Sequence, residues 1–386
     1  MNRRELLKTG ALGLLGVGLA GCAPRVGTVG LARPARRLVP VRASWDRVIR
    51  TTVGLRPYRP SGFVLRAERL ADKLLIHNYG HGGSGMSLSW GTAQMASELA
   101  LEHPERRAAV LGCGVVGLTT CRQLQRRGFD VTIYAASVPP DTTSNMSLAA
   151  WTPTSGLVET DLRTRAWDAQ LRRAAALAYG QLQLLVGPAY GISWLEGYTL
   201  RDSPPDGGNT PAAERLAREP LLPPELQPGS TVLGPGEHPF PTRYAVVSPA
   251  LRIEPSIYLD ALVRDAREAG ARIVIRTFDT PADVAALEEP VVLNCTGLGA
   301  GALFGDAEIR PLKGQVTLLV PQPEVDYSTF GSALPSAGGF VHMQPRGDGI
   351  ALGGTSVEGD WSLEPDEDAR RRIVEAHIDL FGRMRA

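Results

Sequence analysis

Cysteine is scarce in this chain. There are four in 386 residues, and apart from Cys22 only Cys113, Cys121 and Cys295 remain, an odd number spread over strand-like and helix-like patterns. That spacing fits neither a disulfide framework nor a ligand cluster, so no metal and no required disulfide are expected. An excess of one charge is missing as well. Lysine plus arginine number 41 against 40 for aspartate plus glutamate, which leaves no electrostatic reason for a nucleic-acid partner. No apolar run reaches the roughly 20 residues that a membrane-spanning helix requires. What is present, 43% apolar and 21% charged residues, suffices for one large or two medium cores in an enzyme-sized globular protein.

The first 22 residues join Arg3-Arg4 to a short apolar run over 11–20 and then to Leu19-Ala20-Gly21-Cys22. This is the pattern of an export signal. Leu-Ala-Gly-Cys resembles the site at which bacterial lipoprotein precursors are lipidated on cysteine and cleaved, and the twin arginines suggest the route that exports folded proteins. Residues 1–22 are therefore expected to be a signal, with Cys22 a lipid anchor and the product in the cell envelope. Residues 23–43, rich in Arg, Pro, Gly and Ala without periodicity, are the expected tether.

The strongest local signal is Ala108-Ala-Val-Leu-Gly-Cys-Gly-Val-Val-Gly117, followed by a helical stretch, Gly128 and the strand-like Asp130-Val-Thr-Ile-Tyr134. A short strand, a glycine turn, a helix and a second strand make a βαβ unit that binds a dinucleotide. Gly112 permits the tight turn, Gly114 lets the backbone approach a pyrophosphate, and Gly117 allows close helix packing. The first helical residues, Val115 and Val116, offer N–H groups to phosphate. The second strand ends in Ala135-Ala136-Ser137 and lacks the acidic residue that commonly binds ribose hydroxyls, so the turn by itself leaves NAD and FAD open.

Further along, residues 255–268 read as a helix with Pro at its first turn, 271–277 as a strand and 291–297 as a buried strand running into glycine. A long amphipathic helix is expected over 163–186, and a Pro- and Gly-rich surface excursion over 201–241. Residues 313–362 alternate apolar and polar positions with turn signals, the pattern of an antiparallel sheet. The sum is a two-domain α/β protein without internal repeats.

The segment His77-Asn-Tyr-Gly-His-Gly-Gly-Ser-Gly-Met86 resembles the flavin-proximal signature of the D-amino-acid and D-aspartate oxidases. Gly54-Leu-Arg-Pro-Tyr-Arg-Pro60 is similar to the family segment whose first arginine, here Arg56, binds the substrate carboxylate. Asp141-Thr-Thr-Ser144, Trp151-Thr-Pro153, Asn294-Cys-Thr-Gly297, Lys313-Gly-Gln315 and Leu352-Gly-Gly-Thr355 also match family landmarks. The order differs: in that family the glycine-turn strand comes first and the Arg56 and His77–Met86 segments come last. The chain thus reads as a circular permutant, which requires Ala386 to lie near residues 40–50.

The resemblance implies an α/β fold with a Rossmann-like FAD-binding domain, 54–157 and 241–310, and a mainly antiparallel substrate domain, 44–53, 158–240 and 311–386. It implies FAD held by the glycine turn and by Thr142, Thr143, Ser144, Phe278 and Thr296. His81, Gly82, Gly83, Ser84, Gly85 and Met86 would line the isoalloxazine. Arg56 would clamp the carboxylate and the Gly83 carbonyl would accept from the substrate ammonium. His342 stands where the family usually has a carboxylate-binding tyrosine. The implied reaction is oxidative deamination of a D-amino acid by oxygen. The alternatives are a related amine or glycine-type oxidase, a dehydrogenase passing electrons to a membrane acceptor, and a catalytically silent envelope protein. The oligomeric state stays open.

Overall fold

The computed structural model describes residues 37–204, 221–227, 229–331 and 338–385. The export signal and most of the tether lie outside these. Among the described residues, fifteen strands form two sheets. The first six in chain order are β1 (Val48–Tyr58), β2 (Val64–Leu70), β3 (Lys73–Tyr79), β4 (Arg107–Leu111), β5 (Asp130–Ala135) and β6 (Ile192–Arg201). After them come β7 (Thr231–Leu233), β8 (Tyr244–Ile253), β9 (Arg272–Ile275), β10 (Val291–Asn294) and β11 (Arg310–Leu319). The last are β12 (Tyr327–Gly331), β13 (Val341–Arg346), β14 (Gly349–Gly353) and β15 (Val357–Glu358).

The smaller sheet has the order β2-β3-β10-β4-β5-β9. It is parallel apart from β2. Its centre, β10, reads Val-Val-Leu-Asn with all four residues buried, as a parallel strand covered on both faces must be. Helices α1 (Gly85–Ala100), α2 (Val115–Gln125), α3 (Arg165–Leu184) and α4 (Pro255–Glu268) bring Leu88, Leu118, Leu171 and Leu259 into one core with Ile76, Val110 and Ile133. Local chemistry sets the helix ends. Thr164 caps α3 by accepting from the Trp167 N–H, and Pro255 opens α4, where a missing N–H costs nothing.

The larger sheet runs β1-β11-β14-β13-β12-β6-β8-β7, with β15 on β11. Every pairing in it is antiparallel except β12 with β6. A helix, Glu367–Gly382, covers it, started by Asp366, whose carboxylate accepts from the Asp368 and Ala369 N–H groups. Its Ile373, Val374 and Leu380 pack on Tyr327, Met343 and Leu352.

Three boundaries differ from the sequence reading. Residues 165–184, placed with the substrate part, form α3, whose apolar face packs into the core of the smaller sheet. Residues 54–58 continue β1 in the large sheet, because Leu55 to Tyr58 go on pairing with Lys313 to Arg310. Residues 244–253, placed with the nucleotide part, form β8 and pair with β6 over ten residues. The excursion over 201–241 also contains a short strand, β7. At the chain's ends, the Tyr327 hydroxyl donates to the Val39 carbonyl at 2.9 Å and meets Met384 Sδ at 3.7 Å. Leu38, Val41, Phe381 and Met384 share one apolar cluster, and the Arg370 guanidinium lies 5.6 Å over the Trp45 ring.

Candidate active site

One cavity of about 690 Å³ runs between the carboxyl ends of β4, β5 and β10 and one face of the large sheet. A ligand crevice at strand ends is what an open parallel sheet provides. Its nucleotide wall starts at Gly112, whose φ of +110° and a Cβ that would fall 2.5 Å from the Cys295 carbonyl oxygen both require glycine. A Cβ on Gly117 would stand 2.0 Å from the Gly112 oxygen, so α2 begins in contact with the turn. Gly112, Gly114, Val115 and Val116 line the cavity; Gly117 supports them from behind. Thr142, Thr143 and Ser144 line it as well, with the Ser144 hydroxyl accepting from the Val115 N–H at 3.0 Å.

Thr296 and Phe278 complete this wall. Thr296 is fixed by a buried chain of hydrogen bonds. Its N–H and hydroxyl donate to Asn294 Oδ1 at 3.1 and 2.7 Å. The Asn294 amide therefore donates to His77 Nδ1 at 3.0 Å, leaving the Nε2 proton for Glu68 at 3.1 Å. Sequence reasoning did not find Arg276, which lines the wall beside Phe278 and Tyr134, its guanidinium 4.7 Å over the Phe278 ring.

The loop ahead of α1 forms the second wall. His81, Gly82, Gly83, Gly85 and Met86 line the cavity, whereas Ser84 faces inward and donates to the Thr152 and Ser155 carbonyls. Two of the loop's glycines have a reason the sequence reading did not anticipate. A Cβ at Gly82 would meet the Gly156 oxygen at 1.8 Å, and one at Gly83 the Ser155 oxygen at 2.7 Å. The loop must nest on the 155–156 backbone as well as on a ligand. His81 is buried, stacked 5.4 Å from Phe63 and bonded to Thr92, and burial pushes its pKa down to about 3. The positive end of α1 opens at Gly85 toward this wall.

The third wall is the large sheet. Arg56 on β1 projects into the cavity with Nη1 donating at 3.4 Å to the Leu312 and Thr355 carbonyls. Among the described residues no carboxylate pairs with it, its hydrogen-bond partners being those two carbonyls, and burial alone lowers its pKa. His342 lines the same wall, flanked by Phe330 and Phe340. Its Nδ1 is buried without a hydrogen-bond partner. Burial, then His377 and Arg56, push its pKa down to about 3, so the ring is neutral near pH 7.

The glycine turn, the nested loop and an arginine on a facing sheet are held in one cavity, and a family model describing FAD dependent oxidoreductases matches residues 24–99 and 107–385. The chain belongs to this FAD dependent oxidoreductase family. FAD is its cofactor, and the glycine cradle at Gly112 and Gly114 and the cavity it lines fit that group. The chain is 32% identical to a D-amino-acid oxidase of Rubrobacter xylanophilus, over 72% of this chain and 78% of that one. It is 28% identical to human D-aspartate oxidase, over 69% and 74%. A glycine oxidase structure from Bacillus cereus matches with a TM-score of 0.51 at 14% identity, over 72% and 78%, and shows the shared fold. In the first and third cases the covered share equals that of the second family segment alone.

Proposed function

We propose that this FAD dependent oxidoreductase oxidises D-amino acids to 2-oxo acids, with release of ammonium and hydrogen peroxide. One observation carries the reading. Arg56 presents a guanidinium without an acidic partner to the cavity into which the Gly80–Met86 loop and the glycine turn also open. A planar fork left unpaired in an enclosed site is matched by a carboxylate, which takes two parallel charge-assisted hydrogen bonds.

When bound, FAD supplies the two-electron acceptor that no side chain here can provide. The protein's share is orientation. Arg56 fixes the carboxylate, the Gly83 carbonyl takes an ammonium hydrogen, and His342, neutral, lies alongside as a further donor to carboxylate oxygen. Two anchors on one carbon leave its hydrogen and side chain to be sorted by the walls, which is how such a site selects one enantiomer. Phe330 and Phe340 line that end. Loss of the Cα hydrogen with its electron pair and of one nitrogen proton gives an imino acid. Water converts this to the 2-oxo acid and ammonium, while oxygen takes up two electrons and two protons as peroxide.

The family resemblance, the two-segment match and the meeting of residues 38–41 with 381–384 support a circularly permuted order. A chain restarted at 107, with 385 joined to 40 by a short linker, is expected to fold and retain FAD. The Arg3-Arg4 pair and Cys22 support twin-arginine export and lipid anchoring in the cell envelope; among the described residues no helix is long and apolar enough to cross a membrane. Cys22→Ala should move the protein from the membrane fraction to the soluble one. The function itself is tested by peroxide release from paired D- and L-amino acids. Release from D-enantiomers supports it, and turnover of neither enantiomer refutes it.

A further inference from the structure

The large sheet carries its site residues in register. Phe330, His342, Gly353, Val316 and Thr52 face one another in a single row across five strands. Two residues along β11 from Val316 lies Gly314, opposite Gly54, and two further on Leu312 stands opposite Arg56. Alternate residues share a face, so Arg56, Gly314 and His342 all point toward the cavity they line. The residues between them do other work. Lys313 pairs with Asp360 at 2.8 Å, and the Gln315 side chain brackets the backbone N–H and carbonyl of Asp366 at the start of the covering helix.

Glycine is an expensive residue inside a strand, since it packs nothing and orders more backbone than any other. Neither Gly314 nor Gly353 has the positive φ that would require it. What each lacks is the space for a Cβ. At Gly314 that atom would stand 2.3 Å from Arg56 Nη2 and 2.5 Å from both Cζ and Nη1. At Gly353 it would stand 2.3 Å from Cε1 and 2.7 Å from Nε2 of His342. In both places the clash is with the flat end of a side chain from the neighbouring strand, and in both that side chain faces the cavity.

We propose that Gly314 and Gly353 are positioning residues: bare seats over which the Arg56 guanidinium and the His342 ring lie flat, fixing their height above the sheet. This rests on Arg56 being the carboxylate clamp. An alanine at either seat is cheap for the fold, because only the far end of a flexible side chain must lift. It is costly for the site, because the lifted group enters the volume the substrate carboxylate needs. The seat belongs to planar groups. A lysine at 56 has no plane to seat and is indifferent to a methyl beneath it.

The test compares Gly314→Ala and Gly353→Ala with the wild-type holoenzyme in D-alanine turnover. It adds calorimetric binding of propionate, which carries the substrate's carboxylate without its amine. Loss of a good charge-assisted hydrogen-bond geometry predicts a rise of about tenfold to hundredfold in KM and in propionate Kd for Gly314→Ala, with less change in kcat. For Gly353→Ala the expected rise is about threefold to tenfold, with FAD affinity and melting temperature unchanged in both. In an Arg56→Lys background, Gly314→Ala should add less than about twofold. Unchanged propionate binding in Gly314→Ala overturns the proposal, as does an equal penalty in the lysine background. Loss of fold or of FAD in either alanine variant overturns it too, since the glycine would then serve the scaffold. Wild-type enzyme that binds propionate but oxidises no D-amino acid refutes the functional reading and leaves the seats to be judged on binding alone.

Discussion

Removing the Arg56 guanidinium should separate function from stability. In the folded protein Arg56 makes two long hydrogen bonds, both 3.4 Å, to the Leu312 and Thr355 carbonyls, and no ion pair with any described residue. Its enclosure costs solvation, which is why burial lowers its pKa. Arg56→Ala therefore gives up little native-state energy and relieves a desolvated charge, so the melting temperature should stay within a few degrees of wild type or rise. The substrate loses two charge-assisted hydrogen bonds of about 1.5–3 kcal/mol each, and its carboxylate enters an enclosed site unpaired. A loss of about 3–5 kcal/mol corresponds to a fall of about two to four orders of magnitude in kcat/KM. Arg56→Lys keeps the charge without the fork and should fall between. The assay is peroxide release against D-alanine concentration, with FAD content and thermal melting read on the same samples. An alanine variant within about threefold of wild type in kcat/KM would remove Arg56 from the site. One that melts many degrees lower would make it a structural residue.

Among the described residues lining the sheet side of the cavity Arg56 is the cation, and Arg276 stands apart with Tyr134 and Phe278. D-alanine should therefore exceed D-aspartate in kcat/KM by about a hundredfold, the cost of a second carboxylate left without a partner; near-equal values would show another cation at work. Asn294→Ala strands the Thr296 donors and His77 together and should weaken FAD binding by about tenfold, read by fluorescence titration of the apoprotein; an unchanged Kd would show that Thr296 needs no such support. Burial holds His81 and His342 at pKa values of about 3 and His377 at about 4. Because these lie below the unfolded value, stability is full above about pH 6.5 and declines as pH falls toward 4. The slope should approach about 1.4 kcal/mol per histidine per pH unit, and urea midpoints of the FAD-saturated enzyme that coincide at pH 7 and pH 5 would refute this. The Cys113, Cys121 and Cys295 thiols are buried with pKa values pushed up to about 11, 12 and 12, so none should react with a thiol reagent in native protein.

The nucleotide half was legible because its chemistry is local. Gly112, Gly114 and Gly117 sit five residues apart at most, and the strand before them and helix after them are each one simple period. Arg56 and the 77–86 loop were legible through family resemblance, since composition alone gives an arginine among several and a glycine-rich turn. Where long-range pairing decides, the reading missed. Residues 244–253 carry Pro249 within the strand, a position that argues against a central strand; β8 accommodates it opposite Glu196 next to short β7. The helix Glu367–Gly382 has its caps in plain view, yet went unread beside the strand-like 313–362. Arg276 and the purpose of Gly314 needed the fold itself: a bare position is a seat only once the pairing of β1 with β11 shows whose side chain lies on it.

That pairing is also what the proposed permutation puts at risk. β1 and β11 share ten register positions across more than 250 residues of chain, and they supply Arg56 and its seat. In this order the contact closes a loop of more than 250 residues. Loop-closure cost grows only with the logarithm of loop length, about 0.6 kcal/mol per doubling, so stability is almost indifferent to the change. Folding rate is not, because long-range contacts must wait for closure. The fold holds the β1 end at several points: Trp45 under Arg370, Val39 on the Tyr327 hydroxyl, and Leu38 with Val41 against Phe381 and Met384. Those contacts place the start of β1 beside the helix that ends the chain. Tyr327→Phe deletes the Val39 hydrogen bond and keeps the ring. It should leave KM unaltered while raising the unfolding rate, about five- to tenfold for a bond of about 1 kcal/mol made after the folding transition state. If refolding slows by that factor and unfolding does not change, the two ends dock before the sheet closes, and the β1 end is a nucleus for this fold.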